Sequence, residues 1–410
     1  MRAVIVGDSH LQGTNPRNGD RLRAWDQIIE AGLQLSDLAA WLHVGDVFHA
    51  RSTPDDRVSV AERLVRMANA APVVVIYGNH DAPLDLHVFG KLKAAHPIIV
   101  VDQPQTVMLR HPRFDLPLLV ACLPYPTKAG LVSAGIVPGD VQDVASNALD
   151  AVFMQFGHEA AEARHHGAPT IFLAHATING SVTSVGQPMG VHGEIVVTAT
   201  HLNRLGDIPK VFGHIHKAQD LYGATYAGSI CRMDFGETEE KRFLVVAFDD
   251  FSPEAHWSLE SHPIDCPPRY HVDGTLTRDG FEWQATKGPG GALEQAPASW
   301  RGSEVRVRYR FNQSQRGALD QARVLAEFAE ALRVEVEPIA VPDRQLRAPA
   351  VAEARTLEQK LAAYLTVEEV PAALVEKLRA LETSEGAALL TRVQQELAAI
   401  EAGEEATVAA

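Results

Sequence analysis

Short apolar, β-branched runs alternate with longer amphipathic stretches over the first 248 residues, and the two periods together predict an α/β layer fold. Strands are expected at residues 3–6, 41–44, 73–77, 98–101, 118–122, 170–174, 211–212 and 243–248. Helices are expected between them, at 20–39, 54–71, 86–94 and 141–166. Pro54 suits the first turn of its helix, because the N–H it lacks would have had no helical partner there. The Gly-rich stretch 179–193 reads as a long loop directly after His175, the kind that shapes access to a site.

The pattern changes after Phe251. Residues 261–268 hold three prolines and read as a linker, and a small α+β domain is expected beyond it. One strand there, 305–311, alternates strictly and turns Arg306, Arg308 and Arg310 to one face. Those arginines suit either a phosphate backbone or a solvated strand face, and nearby acids favour the second. Past Pro349 the chain turns acidic and helical, with leucine stripes such as Leu357, Leu361 and Leu365. The organisation expected is therefore 1–255, 268–345 and a helical segment at 350–403.

With 410 residues, 46% hydrophobic and 22% charged, the chain has the composition of a globular protein too long for one ordinary core. Apolar runs fall short of the ~18–20 residues that span a bilayer, and the N-terminus enters a strand at once. A cytoplasmic location without a membrane is expected. Cys122, Cys231 and Cys266 are odd in number and widely spaced, as reduced thiols are. The net charge of −15 argues against unaided grip on nucleic acid, which draws its energy from Lys and Arg displacing counterions. Either the substrate is small or a partner supplies the grip.

Five blocks carry the chemistry, each after an expected strand: Asp8-Ser9-His10, Gly45-Asp46, Gly78-Asn79-His80-Asp81, His175, and Gly213-His214-Ile215-His216. Taken singly, each has an ordinary explanation as a cap or turn. In order, they supply the oxygen and imidazole donors that divalent ions acting on phosphate require. Asp46, with two oxygens at a strand-loop junction, is the natural bridge between two ions. Such a pair, roughly 3.5–4 Å apart, stabilises both the attacking and leaving oxygens of phosphoryl displacement and acidifies a bound water. His80, beside Asn79, is a candidate for assisting the departing oxygen, with Asp81 orienting its ring.

This ordered set resembles the calcineurin-like metallophosphoesterase superfamily. Gly45-Asp46-Val47-Phe48-His49 followed by Pro54, and Tyr226-Ala227-Gly228-Ser229 followed by Phe235-Gly236-Glu237, resemble the SbcD-type double-strand-break repair nucleases within it. The resemblance covers the first 250 residues. It implies a four-layer αββα metallophosphoesterase sandwich, followed by a small α+β capping domain and a C-terminal helical segment. It also implies one ion on Asp8, His10, Asp46 and His216, and a second on Asp46, Asn79, His175 and His214. His80 would assist the transition state, His49 would serve exonuclease action, and the ions would be two Mn2+. The implied activity is a 3′-to-5′ exonuclease on duplex ends and an endonuclease on single strands or hairpins. The implied partners are DNA, an SbcC-like SMC-type coiled-coil ATPase clasped by the C-terminal helices, and a second copy in a homodimer.

The rival is a stand-alone phosphoesterase acting on a nucleotide, cyclic nucleotide or phosphoprotein, which the acidic charge favours. The long extension beyond Phe251, and the lack of an Arg directly after Asn79-His80-Asp81, speak against it. A scaffold with a dead site is disfavoured by the intact candidate at every position.

Overall fold

The computed structural model describes residues 1–127, 141–184, 194–237, 239–249, 256–277, 280–288, 291–292, 296–318 and 321–342, with a few isolated positions beyond. The first half of the chain forms β1 (Arg2–Val6), α1 (Asn18–Leu33), β2 (Leu38–His43), α2 (Pro54–Ala68), β3 (Val73–Ile76), β4 (Ile98–Val101), β5 (Gln105–Leu109) and β6 (Leu118–Leu123). Then come α3 (Val141–His165), β7 (Thr170–His175), β8 (Thr177–Ile178), β9 (Val196–Val197), α4 (Ala199–Arg204), β10 (Lys210–Gly213), β11 (Gln219–Leu221), β12 (Ala224–Tyr226), β13 (Arg242–Phe248) and β14 (Trp257–Pro263).

Two six-stranded sheets result, β14-β13-β1-β2-β3-β4 and β11-β12-β10-β7-β6-β5. In each, four strands are parallel: β1 to β4 in one, and β6, β7, β10 and β12 in the other. Central parallel strands are covered on both faces and so read as continuous apolar runs, as Leu38–His43 does, buried at every position. The period of two then sorts β1 between two cores. Val4 and Val6 join Trp25, Ile28, Val60 and Leu64 under the helices, whereas Ala3 and Ile5 meet Val120, Ile171 and Leu173 of the opposite sheet. A third core buries Phe153 and Phe156 of α3 against Phe172 and Phe212. Helix, sheet, sheet and helix therefore stack as the four αββα layers.

Several boundaries differ from the expectation. α1 stops at Leu33, so residues 38–39, expected in the helix, open β2 instead. The helix expected at 86–94 is a single 3-10 turn, His87–Lys91. β14 pairs with β13 from Trp257 to Pro263, which carries the sandwich past the boundary at 255 and takes in residues 261–263 of the expected linker. By contrast α2 begins where Pro54 indicates, with a reciprocal capping box between Thr53 and Asp56.

A five-stranded sheet follows, made of β15 (Arg269–Leu276), β16 (Phe281–Gly288), β17 (Gly291–Ala292), β18 (Glu304–Asn312) and, after helix α5 (Gln321–Glu327), β19 (Arg333–Val341), in the order β17-β16-β15-β18-β19. On β18, Val305, Val307 and Tyr309 are buried, Arg308 and Arg310 are exposed, and Arg306 is half-buried with its guanidinium over the Phe235 ring at 4.6 Å. Arg306 and Arg308 meet Glu335 and Glu337 of β19 at 3.1 and 3.4 Å, an ion-paired strand face. Arg269 ties this sheet to the sandwich by donating to the carbonyls of Arg232 and Asp234. Residues 1–310 and 320–339 pack as one compact unit. The helical segment expected at 350–403 falls almost wholly outside the described residues, as does 185–193 of the expected loop. Among the described residues no helix is long and apolar enough to cross a membrane.

Candidate metal centre

All five blocks sit at the C-terminal ends of parallel strands: Asp8 after β1, Asp46 after β2, Asn79 after β3, His175 closing β7 and His214 directly after β10. Parallel neighbours deliver such loops to one edge, where ligands of α/β folds bind. The backbone bends sharply to aim them. His10, Asp46 and His214 take left-handed conformations, with φ of 48°, 51° and 91°, which non-glycine residues adopt at a cost where a site demands it. Gly78 is required by close approach, since a Cβ there would stand 2.1 Å from Asp46 Oδ1.

Asp46 occupies the middle. Its Oδ2 is 3.4 Å from His10 Nε2 on one side and 3.4 Å from His175 Nε2 on the other. Its Oδ1 accepts the His80 backbone N–H at 2.9 Å. On the first side, His216 Nε2 approaches His10 Nε2 to 2.9 Å. On the second, Asn79 Oδ1 lies 3.0 Å from His175 Nε2 and 2.8 Å from His214 Nδ1. Asp8, fully buried, accepts the His214 N–H through Oδ1 at 2.8 Å. The candidate donors of Asp8, His10 and Asp46 fall within 4.8 Å of one another, and so do those of Asp46, His175 and His214.

The donor set fits divalent ions. Asp8 Oδ2 is buried without a hydrogen-bond partner among the described residues, on a carboxylate that shares a cluster with His10 and Asp46. His175 Nδ1 donates to the Val44 carbonyl at 2.7 Å, so in the neutral ring Nε2 presents a lone pair toward Asn79 Oδ1. Lone pairs converging on an amide oxygen repel unless a cation, or a proton in its stead, lies among them.

The electrostatics agree. Burial pushes Asp8 up to about 7, with His175 opposing and Asp46 reinforcing. Burial also lifts Asp46, but His175 and His10 outweigh it and hold this carboxyl well below its ordinary range. Burial lowers His175, yet Asp46 and Asp8 prevail and raise it to about 9. Burial drives His10 well below its ordinary value and, with Lys241, His216 to about 3.

His49 and His80 are exposed at the mouth of this cluster, rings stacked with centroids 5.2 Å apart and planes at 14°. Both lie against His10, and donor nitrogens of all three histidines fall within 4.8 Å of one another. The ring of His80 is oriented by the His49 carbonyl, which accepts from Nδ1 at 2.9 Å, and not by Asp81 as expected. Asp81 points inward, accepting the N–H groups of Phe48 at 3.0 Å and Gly78 at 2.9 Å, and so ties the Asp46 loop to the Asn79 loop.

The surroundings hold residues that sequence reasoning missed. His43 is wholly buried in β2: its Nδ1 accepts the Gly45 N–H at 3.2 Å, which leaves Nε2 as the donor to Ser9 Oγ at 2.6 Å. Glu194 stands 2.8 Å from His214 Nε2, just past the end of the stretch read as loop. Lys241 donates to the His216 carbonyl at 3.2 Å and pairs with buried Glu237 at 2.6 Å. Ser229 pairs its backbone with Asp8, which gives the Tyr226–Ser229 motif its local role of bracing β1's loop.

The chain belongs to the calcineurin-like phosphoesterases, whose family model matches residues 1–218. Members hydrolyse phosphate esters with divalent metal ions, and the clusters around Asp46 are of the kind that binds them. A relative is the SbcD component of the SbcCD nuclease of Bacillus subtilis (strain 168), 26% identical over 274 residues, covering 63% of this chain and 68% of that protein. Among solved structures, TT1561 of Thermus thermophilus aligns at 13% identity with a TM-score of 0.35, over 63% of this chain and 97% of that one, a likeness too loose to argue from.

Proposed function

We propose that the chain is a two-metal DNA phosphodiesterase, an SbcD-like nuclease subunit with 3′-to-5′ exonuclease activity on duplex ends and endonuclease activity on single strands and hairpins, acting in double-strand-break repair. The observation that carries the reading is the exposed, stacked His49–His80 pair beside His10. The relative named as part of a nuclease supports a nucleic acid as the substrate class.

In this reading Asp8, His10, Asp46 and His216 hold one ion, and Asp46, Asn79, His175 and His214 the other, with manganese as the working metal. Such ions supply Lewis-acid charge stabilisation to phosphoryl transfer. The chain's own residues do the rest. Asp46, kept ionised, spans both donor groups. His80, whose Nδ1 donates to the His49 carbonyl, would give a proton from Nε2 to the departing oxygen in its imidazolium form, the ring returning to the neutral Nδ1–H tautomer. Asp81 fixes the two loops on which Asp46 and Asn79 ride.

The net charge of −15 leaves the grip on DNA to a partner. An SbcC-like SMC-type coiled-coil ATPase, clasped by the segment 350–403, would supply it, and the protein would work in the cytoplasm as a homodimer. The same charge favours the rival, a small phosphate ester as substrate. Digestion of a labelled duplex end with Mn2+, with and without the ATPase, tests the choice. Loss of the end nucleotides, abolished in His80→Ala, is expected; intact DNA under both conditions, with rapid hydrolysis of bis-p-nitrophenyl phosphate, would select the rival.

A further inference from the structure

We infer that Glu194 is a positioning residue for the metal centre, presenting His214 Nδ1 to the ion shared with Asn79 and His175; this rests on the metal-holding reading above.

An imidazole has two nitrogens, and which of them carries the lone pair is set by the partner of the other. Glu194 Oε1 stands 2.8 Å from His214 Nε2, with the two side chains only 7% and 14% exposed. An ionised carboxylate only accepts, so Nε2 must carry the hydrogen and Nδ1 is left facing Asn79 Oδ1 at 2.8 Å. His175 has the same arrangement, with the Val44 carbonyl in the place of Glu194. The two rings are thus oriented from outside by two different acceptors, one of the main chain and one of a side chain.

Glu194 is itself built in. Thr177 Oγ1 donates to its Oε1 at 2.6 Å. Thr177 lies in β8, whose two residues pair in parallel with β9, and Val196 opposite Thr177 is two positions beyond Glu194. β8 is anchored in turn by Tyr226, whose hydroxyl accepts the Ile178 N–H at 2.7 Å and donates to the Ala176 carbonyl at 2.9 Å. The two-stranded sheet thus delivers one carboxylate to one imidazole.

The test uses the full chain as wild type, Glu194→Ala, Glu194→Leu and Glu194→Gln. Long-range 1H–15N NMR on the metal-free protein reads the His214 ring, and calorimetric titration with Mn2+ reads both ions. The wild type should show a hydrogen fixed on Nε2. Glu194→Ala should lose that preference and bind one of two ions about 10- to 100-fold more weakly, the other unchanged. Glu194→Leu keeps the volume without an acceptor and should behave alike, which serves should the Ala variant not fold. Glu194→Gln, whose amide oxygen still accepts, should recover the Nε2 hydrogen and part of the affinity. An unaltered ring in the Ala or Leu variant, or both ions retained within about twofold, would overturn the role. Absence of any Mn2+ uptake by the wild type would bring down the metal centre itself, while the NMR still judges the pairing of Glu194 with His214.

Discussion

His10 Nε2 and His216 Nε2 meet at 2.9 Å although 206 positions separate them in the chain. Burial holds both rings below their ordinary values, so each is neutral at neutral pH, with one N–H and one lone pair, and the contact can form only if one ring gives up its Nε2 lone pair to carry the hydrogen there. A divalent ion in the proposed site would instead take both Nε2 lone pairs. Divalent metal should therefore stabilise the fold by mass action, by about 2.7 kcal/mol at a hundredfold excess over Kd. Thermal melts in EDTA and in Mn2+ measure this, and equal midpoints would refute it.

Metal uptake should depend on pH in a direction that the carboxylate and the imidazole fix together. Asp8, at about 7, and His175, at about 9, hold protons in the metal-free centre that must leave before their lone pairs are free. Affinity should fall as pH drops below about 9, and more steeply below about 7. Calorimetry in buffers of different ionisation enthalpy should register protons released on binding; affinity that is flat over this range would contradict the assignment.

His43 predicts an acid limit to stability. Its folded value is driven down to about 3 by burial, then by His175, against 6.5 unperturbed. The depressed value means that the folded state holds it neutral. Its contribution is complete above 6.5 and is lost as pH falls from there toward 3, by at most about 1.4 kcal/mol per pH unit. Denaturation of wild type and His43→Gln between those limits should converge as pH falls. A constant gap would mean that the ring does not titrate as described.

Neighbouring His80 and Asp81 should separate cleanly by mutation. His80→Ala should lower turnover by about 10²- to 10⁴-fold with metal content unchanged, as a proton donor at the mouth does. Asp81→Ala leaves two buried N–H groups, of Phe48 and Gly78, without their acceptor, and should cost about 1–3 kcal/mol for each. Activity assays and denaturant melts on both variants tell the roles apart; an Asp81→Ala chain of native stability would be contrary to the structure.

The same pair shows where sequence reading succeeds and where it stops. The five blocks are legible because parallel strands buried on both faces read as plain apolar runs, and whatever polar residue ends them stands out. Adjacency misleads at Asp81: successive residues of a tight loop point apart, so Asp81 turns inward while His80 faces out. Leu35 and Leu38 continue a helical period beyond Leu33, which hides the end of α1. β5 and β14 escape because they pair on one side only, and exposed positions there dilute the apolar signal. Glu194 leaves no trace at all. Its partner is 20 positions away, brought near by a two-residue strand pair too short to carry a pattern.

Diffraction from crystals soaked in Mn2+, at a wavelength where manganese scatters anomalously, tests most directly the proposal that Asp46 bridges two ions. Two peaks should flank the Asp46 carboxylate, roughly 3.5–4 Å apart, one beside His10 and His216 and the other beside Asn79, His175 and His214. A single peak, or none within reach of Asp46, would contradict it.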